Sequence, residues 1–143
     1  MKNLVLLLSF LILVTTNYSC KDTEEDCVCI EIYQPVCGND GNEYANSCKA
    51  ECAGVTYSDG FCEVETDAKV VDFGSLAIDG CGWLLEFEVD GETKNFHPNN
   101  LTSAFEQDQL EVKITYKPTL LDYTCGLVPN VYPEIELVSI ENL

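Results

Sequence analysis

Six cysteines fall within about 36 residues, from Cys27 to Cys62, in the stretch CVCIEIYQPVCGNDGNEYANSCKAECAGVTYSDGFC. A segment that short cannot bury enough apolar surface to be stable by itself. Disulfides have to supply the difference, each typically worth about 2–5 kcal/mol in a small exported domain. Clustered cysteines therefore place the chain in an oxidising compartment. The competing reading is a structural zinc site, and it fails on ligands. The one histidine, His97, lies far from the cluster, no CxxC pair exists, and Cys27-Val28-Cys29 is too tight for the usual chelate. No metal and no cofactor are expected. Six cysteines allow fifteen pairings, and spacing alone does not choose among them.

The formal charge of −18 comes from 25 acids against seven lysines, with no arginine. Nucleic acids are excluded as partners, because phosphate recognition needs clustered cations. Charge-driven binding to anionic lipid is excluded for the same reason. An acidic surface of this kind serves solubility and keeps copies apart, and a monomer is expected.

Residues 1–19 read as an export signal. Lys2 is followed by the apolar run Leu4 to Val14, broken by Ser9 and too short for a comfortable membrane span. Cys20 comes next and resembles the lipidation site of bacterial lipoproteins, although Asn17-Tyr18-Ser19 is a loose version of the preceding box. Cysteine arithmetic agrees, since six belong to the cluster, Cys81 and Cys125 form a remaining pair, and Cys20 is the odd one. Residues 20–26 then make an acidic tether, Lys21-Asp22-Thr23-Glu24-Glu25-Asp26. That tether resembles the surface-export signal of some Bacteroidota lipoproteins. The localisation implied is a bacterial cell envelope, as an outer-membrane lipoprotein exposed at the surface.

From Cys29 to Cys52 the spacing is C-x7-C-x6-Y-x3-C-x3-C, with Tyr44, Asn46 and Cys37-Gly38 at fixed offsets. Residues 27–62 thereby resemble a Kazal-type serine protease inhibitor domain, a small disulfide-rich α+β module. The resemblance covers roughly a quarter of the chain. It implies the pairs Cys27–Cys52, Cys29–Cys48 and Cys37–Cys62. It also implies a substrate-like reactive loop, Ile30, Glu31, Ile32, Tyr33 and Gln34, with Glu31 in the primary specificity position. Pro35, Tyr44 and Asn46 would support that loop, Asn46 by hydrogen bonds to its back. The residues themselves predict a short helix over 46–53 with Gly54 beyond its end, a turn at Asn39-Asp40-Gly41-Asn42, and a strand at Val55-Thr56-Tyr57.

Glu31 narrows the partner. A trypsin-like pocket ends in a carboxylate and repels it, and an apolar pocket makes an unpaired carboxylate costly to bury. A glutamyl-specific serine protease would accept it. The alternative is a non-inhibitory adhesion or spacer module, with the C-terminal β domain as the binding part.

Residues 63–69 read as a polar linker, and residues 70–143 as an all-β domain. Strands are expected at Val70 to Ile78, Trp83 to Val89, Thr93 to Phe96, Leu110 to Tyr116 (ended by Pro118) and Glu134 to Ile140. Asp79-Gly80 and Asp90-Gly91 mark turns, and residues 99–105 a turn into a short helix. Three strands, a short helix and two strands is the order of an OB-like barrel, with a β-sandwich as the alternative. Cys81 and Cys125 are expected to bridge, with Cys125 in the long loop before the last strand. His97 reads as a lone surface histidine with no nucleophile motif beside it, and no enzyme is expected. Asn100-Leu101-Thr102 matches a glycosylation sequon by pattern alone.

Overall fold

The computed structural model describes residues 27–143. The export signal, Cys20 and the acidic tether lie outside the described residues.

The N-terminal module is a three-stranded antiparallel sheet with one short helix. β1 (Val36–Gly38) lies between β2 (Glu43–Tyr44) and β3 (Tyr57–Asp59), and α1 spans Ser47–Cys52. The turn from β1 to β2 closes on Asp40, whose carboxylate accepts from the Asn42 backbone and amide and from the Tyr44 hydroxyl. Those bonds hold the Asp40 carboxyl below the usual aspartate range, the Asn42 amide contributing most. α1 starts at Asn46, whose side chain caps the Lys49 backbone N–H. It ends where Gly54, at φ +71, adopts a left-handed conformation, with Gly54 N–H on Glu51 and Val55 N–H on Ala50. The capping chemistry thus matches the sequence reading. The third strand does not: it begins at Tyr57 rather than Val55, because Val55 still closes the helix cap and Thr56 accepts from Asn39. The module's interior is small, built on Val36, Ala50 and the buried Asn46, with Pro35 and Gly38 also buried.

The C-terminal part is a closed barrel of five strands in the order β4-β5-β6-β8-β7. These are β4 (Val64–Asp72), β5 (Trp83–Val89), β6 (Glu92–Pro98), β7 (Leu110–Cys125) and β8 (Asn130–Asn142). β6 and β8 run parallel and the other pairs antiparallel. Closure removes the β-sandwich alternative. Val70, Leu85, Val112, Ile114 and Ile135 fill the barrel, and Phe87 stacks on Phe96 with ring centroids 4.2 Å apart. Asp90 and Gly91 both have positive φ, as a two-residue turn between β5 and β6 requires.

Several strand boundaries depart from the sequence reading. Residues 63–69 are not a linker, since Val64 to Val70 pair with β7 along their whole length. Lys113 reaches Glu65 at 2.8 Å across that pairing. The first strand stops at Asp72, whose carboxylate turns back onto Gly74 N–H, and Leu76–Ile78 form a 3-10 turn. β7 runs through Pro118 to Cys125. The β4 pairing ends at Tyr116, so no β4 partner lies opposite the proline's missing N–H. Cys125 therefore closes a strand rather than sitting in a long loop, and Cys81–Cys125 bridges a separation of 44 residues. Only Glu63 stands between Cys62 and β4, and its carboxylate lies 3.4 Å from the Lys117 ammonium.

His97 is half-buried rather than standing free on the surface. Its ring stacks on Tyr123 at 3.6 Å, its side chain is 22 % exposed, and Nδ1 lies 3.7 Å from the Glu134 carboxylate. That distance is too long for a hydrogen bond. Burial lowers its pKa, with Glu134 opposing. The amide of Asn100 is also occupied, donating to Leu137 C=O and accepting from Leu137 N–H, both at 2.8 Å.

Candidate functional site

From Ile30 to Gln34 the segment after Cys29 crosses the surface exposed, and Pro35 and Val36 then turn inward before Cys37. Ile30, Ile32 and Tyr33 are exposed, and the Glu31 side chain is 88 % exposed. Outward display of three large apolar groups costs solvation, so the backbone has to be held from behind.

Asn46 does this. It is 7 % exposed, the one buried polar residue among those described. Its amide NH2 donates to Ile30 C=O at 3.2 Å and to Ile32 C=O at 2.8 Å, the carbonyls on either side of Glu31. Its amide oxygen caps α1. One side chain therefore ties the residues flanking Glu31 to a helix N-terminus, with every donor and acceptor of the amide placed. The buried amide is satisfied, and the loop's curvature is fixed in the same step.

The loop's ends are fixed covalently. Cys29 is bonded to Cys48 on α1, and Cys37 on β1 to Cys62. Cys27 joins Cys52 on the same helix. Cys48 and Cys52 are four apart on α1, which puts both on one face, as the sequence spacing required. The sulfurs of Cys27, Cys29, Cys48 and Cys52 lie within 4.8 Å of one another, but as two disulfides they present no thiolate to a metal. Gln34 N–H donates to Ala45 C=O at 2.8 Å, and Pro35 C=O accepts from Gly60 N–H at 3.0 Å. The exit of the loop is thus pinned to both flanking strands' connections.

Three side-chain contacts were not legible in the sequence. Lys49 on α1 places its ammonium 3.4 Å from the Glu31 carboxylate. Both groups are exposed, so the pair contributes little and is readily given up. The Tyr33 hydroxyl reaches Glu43 at 3.4 Å, and its ring meets Phe61 edge-on at 6.5 Å. Burial, then Glu43, raises the Tyr33 pKa. Tyr44 bonds to the Asp40 turn instead of to the loop, and its ring lies against Gly38.

An exposed loop held by a buried asparagine and two disulfides defines the class. Residues 20–69 match the Kazal-type serine protease inhibitor domain family, and the module at 27–62 is a Kazal-type domain. The matched segment extends into β4. Among curated proteins, the serine protease inhibitor dipetalogastin of Dipetalogaster maximus is 49 % identical over 114 residues, covering 80 % of this chain and 23 % of that protein. The thrombin inhibitor rhodniin of Rhodnius prolixus is 42 % identical over 45 residues, covering 29 % of this chain and 44 % of that protein. The chain thus spans about a quarter and under half of these relatives' lengths. No solved structure matches the chain.

Proposed function

We propose that this protein inhibits a serine protease through the Cys29–Cys37 loop, with Glu31 in the primary specificity position. The observation that carries this reading is the paired hydrogen bonding of Asn46 to the carbonyls on either side of Glu31. A loop already held in one shape binds with little ordering cost. The protease serine attacks the Glu31 carbonyl, the Glu31–Ile32 peptide bond breaks, and the leaving Ile32 amine takes the proton. That amine is tethered by Asn46 and by Cys37–Cys62, so it stays beside the acyl carbon. It attacks the ester, displaces the serine and restores the peptide bond. Hydrolysis by water loses to this local return because the effective concentration of a held amine is high.

Glu31 favours a glutamyl-specific protease with a cationic or hydrogen-bonding pocket. Lys49 is a weak internal partner that such a pocket would replace. We also propose that Cys20 carries lipid and holds the monomer at a bacterial outer membrane. The barrel is read as OB-like. Its strand order, first-second-third-fifth-fourth, and the 3-10 turn between third and fourth strands support that reading.

The experiment is an inhibition titration of the oxidised soluble protein, Lys21 to Leu143, against glutamyl-specific, elastase-, subtilisin-, chymotrypsin- and trypsin-like proteases and thrombin. Inhibition of the glutamyl-specific member, lost in Glu31→Arg, supports both mechanism and residue. Indifference across the panel would leave a non-inhibitory Kazal-type spacer, with the barrel as the binding part.

A further inference from the structure

The reactive loop does not end on open surface. Gln34 and Pro35 form one wall of a groove of 480 Å³, and Pro118, Leu120 and Leu121 of β7 belong to its lining, with Phe61 beside them. An apolar strip runs from Tyr33 through the edge-on Phe61 ring toward the two leucines.

The leucines are displayed by design of the backbone. The β7–β8 register shifts between Pro118 and Asp122, so Thr119 to Leu121 bulge out of the ladder. Thr119 fixes the bulge: its hydroxyl donates to Glu134 C=O at 3.0 Å and accepts from Leu121 N–H at 3.1 Å. Leu120 and Leu121 are 63 % and 62 % exposed. Two adjacent leucines held outward on a bonded bulge lose solvation free energy unless something covers them.

We propose that this bulge is a second contact surface for the same protease that the reactive loop enters, on its leaving-group side. The inference rests on the inhibitory reading above. An inhibitory interface covers about 800 Å² per partner, a patch roughly 30 Å across. A protease centred on Glu31 therefore reaches about 15 Å to either side. Gln34 and Pro35 lie three and four residues beyond Glu31, at most about 10–14 Å away. The groove they begin falls under the protease's rim. The single residue joining the module to β4 keeps the bulge beside the loop. The partner surface has to be apolar at that rim, so the barrel selects among proteases that share a pocket chemistry.

The test compares full-length oxidised protein with Leu120→Ser/Leu121→Ser, using Leu127→Ser/Val128→Ser at the β7–β8 turn as control. The expected result is at least about tenfold weaker inhibition of the target protease for the bulge variant, with the control within about twofold of the parent. Hydrogen exchange of the parent, free and protease-bound, reads the same surface without mutation, and slowed exchange at Leu120 to Asp122 is expected. Unchanged inhibition, or no protection there while the Glu31→Arg variant loses inhibition, overturns the second surface and leaves the loop mechanism standing. A parent that inhibits no protease in the panel overturns both.

Discussion

Asn46 performs two tasks that substitution can separate. Asn46→Asp keeps an oxygen for the Lys49 N–H but sets a second carboxylate oxygen against Ile30 and Ile32 C=O. The helix cap survives and the loop support becomes repulsive. We expect a folded module whose Glu31–Ile32 bond is cleaved at least about tenfold faster, a loss on the order of one or two hydrogen bonds; mass spectrometry of timed digests measures it. Unchanged cleavage would mean the disulfides alone hold the loop. Asn46→Ala loses the cap as well, and the module should lose about 1–3 kcal/mol of stability in denaturant unfolding. The asparagine's place was legible because its offset from Tyr44 and Cys48 is fixed by the family resemblance. The Lys49–Glu31 contact was not, because spacing between a loop and a helix does not determine where two flexible, exposed chains meet.

The barrel's strands were found by alternation and misjudged at their ends. Residues 64–69 alternate, but Val64 is exposed and the inward members are Thr66 and Ala68, too small and polar to register against three flanking acids. Pro118 read as a stop because a proline has no ladder donor; only the pairing pattern shows that β4 has already left that side. His97 was read as exposed because nothing near it in sequence announces Tyr123 and Glu134, which β7 and β8 bring to it. Its burial has a pH consequence. A histidine whose folded pKa is lowered favours the native state when neutral. The unfolded chain takes up the proton first as pH falls through the ordinary value of 6.5, and stability falls with it until the folded group also titrates. Barrel melting temperature should therefore decline from pH 7.5 to pH 5.5. The part of that decline due to His97 should be absent in His97→Phe, which retains a ring to stack on Tyr123. An equal decline in both proteins would assign it to the acids. At the far end of β7, Cys81→Ser with Cys125→Ser opens a 44-residue closure. It should cost about 2–4 kcal/mol in barrel unfolding, while inhibition by the reactive loop is retained.

Across the whole molecule, the disulfide module supplies a rigid loop and the barrel supplies a body fused to it with one intervening residue. Association with a basic protease should slow as salt rises, because attraction to an acidic surface is screened beyond a Debye length of about 8 Å at physiological ionic strength. The central claim is that Glu31 enters a protease and stops it. The most direct measurement is the inhibition constant of Lys21–Leu143 for a glutamyl-specific serine protease, taken beside Glu31→Arg and with all four described disulfides verified. Tight, reversible inhibition by the parent and its loss in the variant is the expected result. Equal inertness of both across the panel of serine proteases would contradict the account.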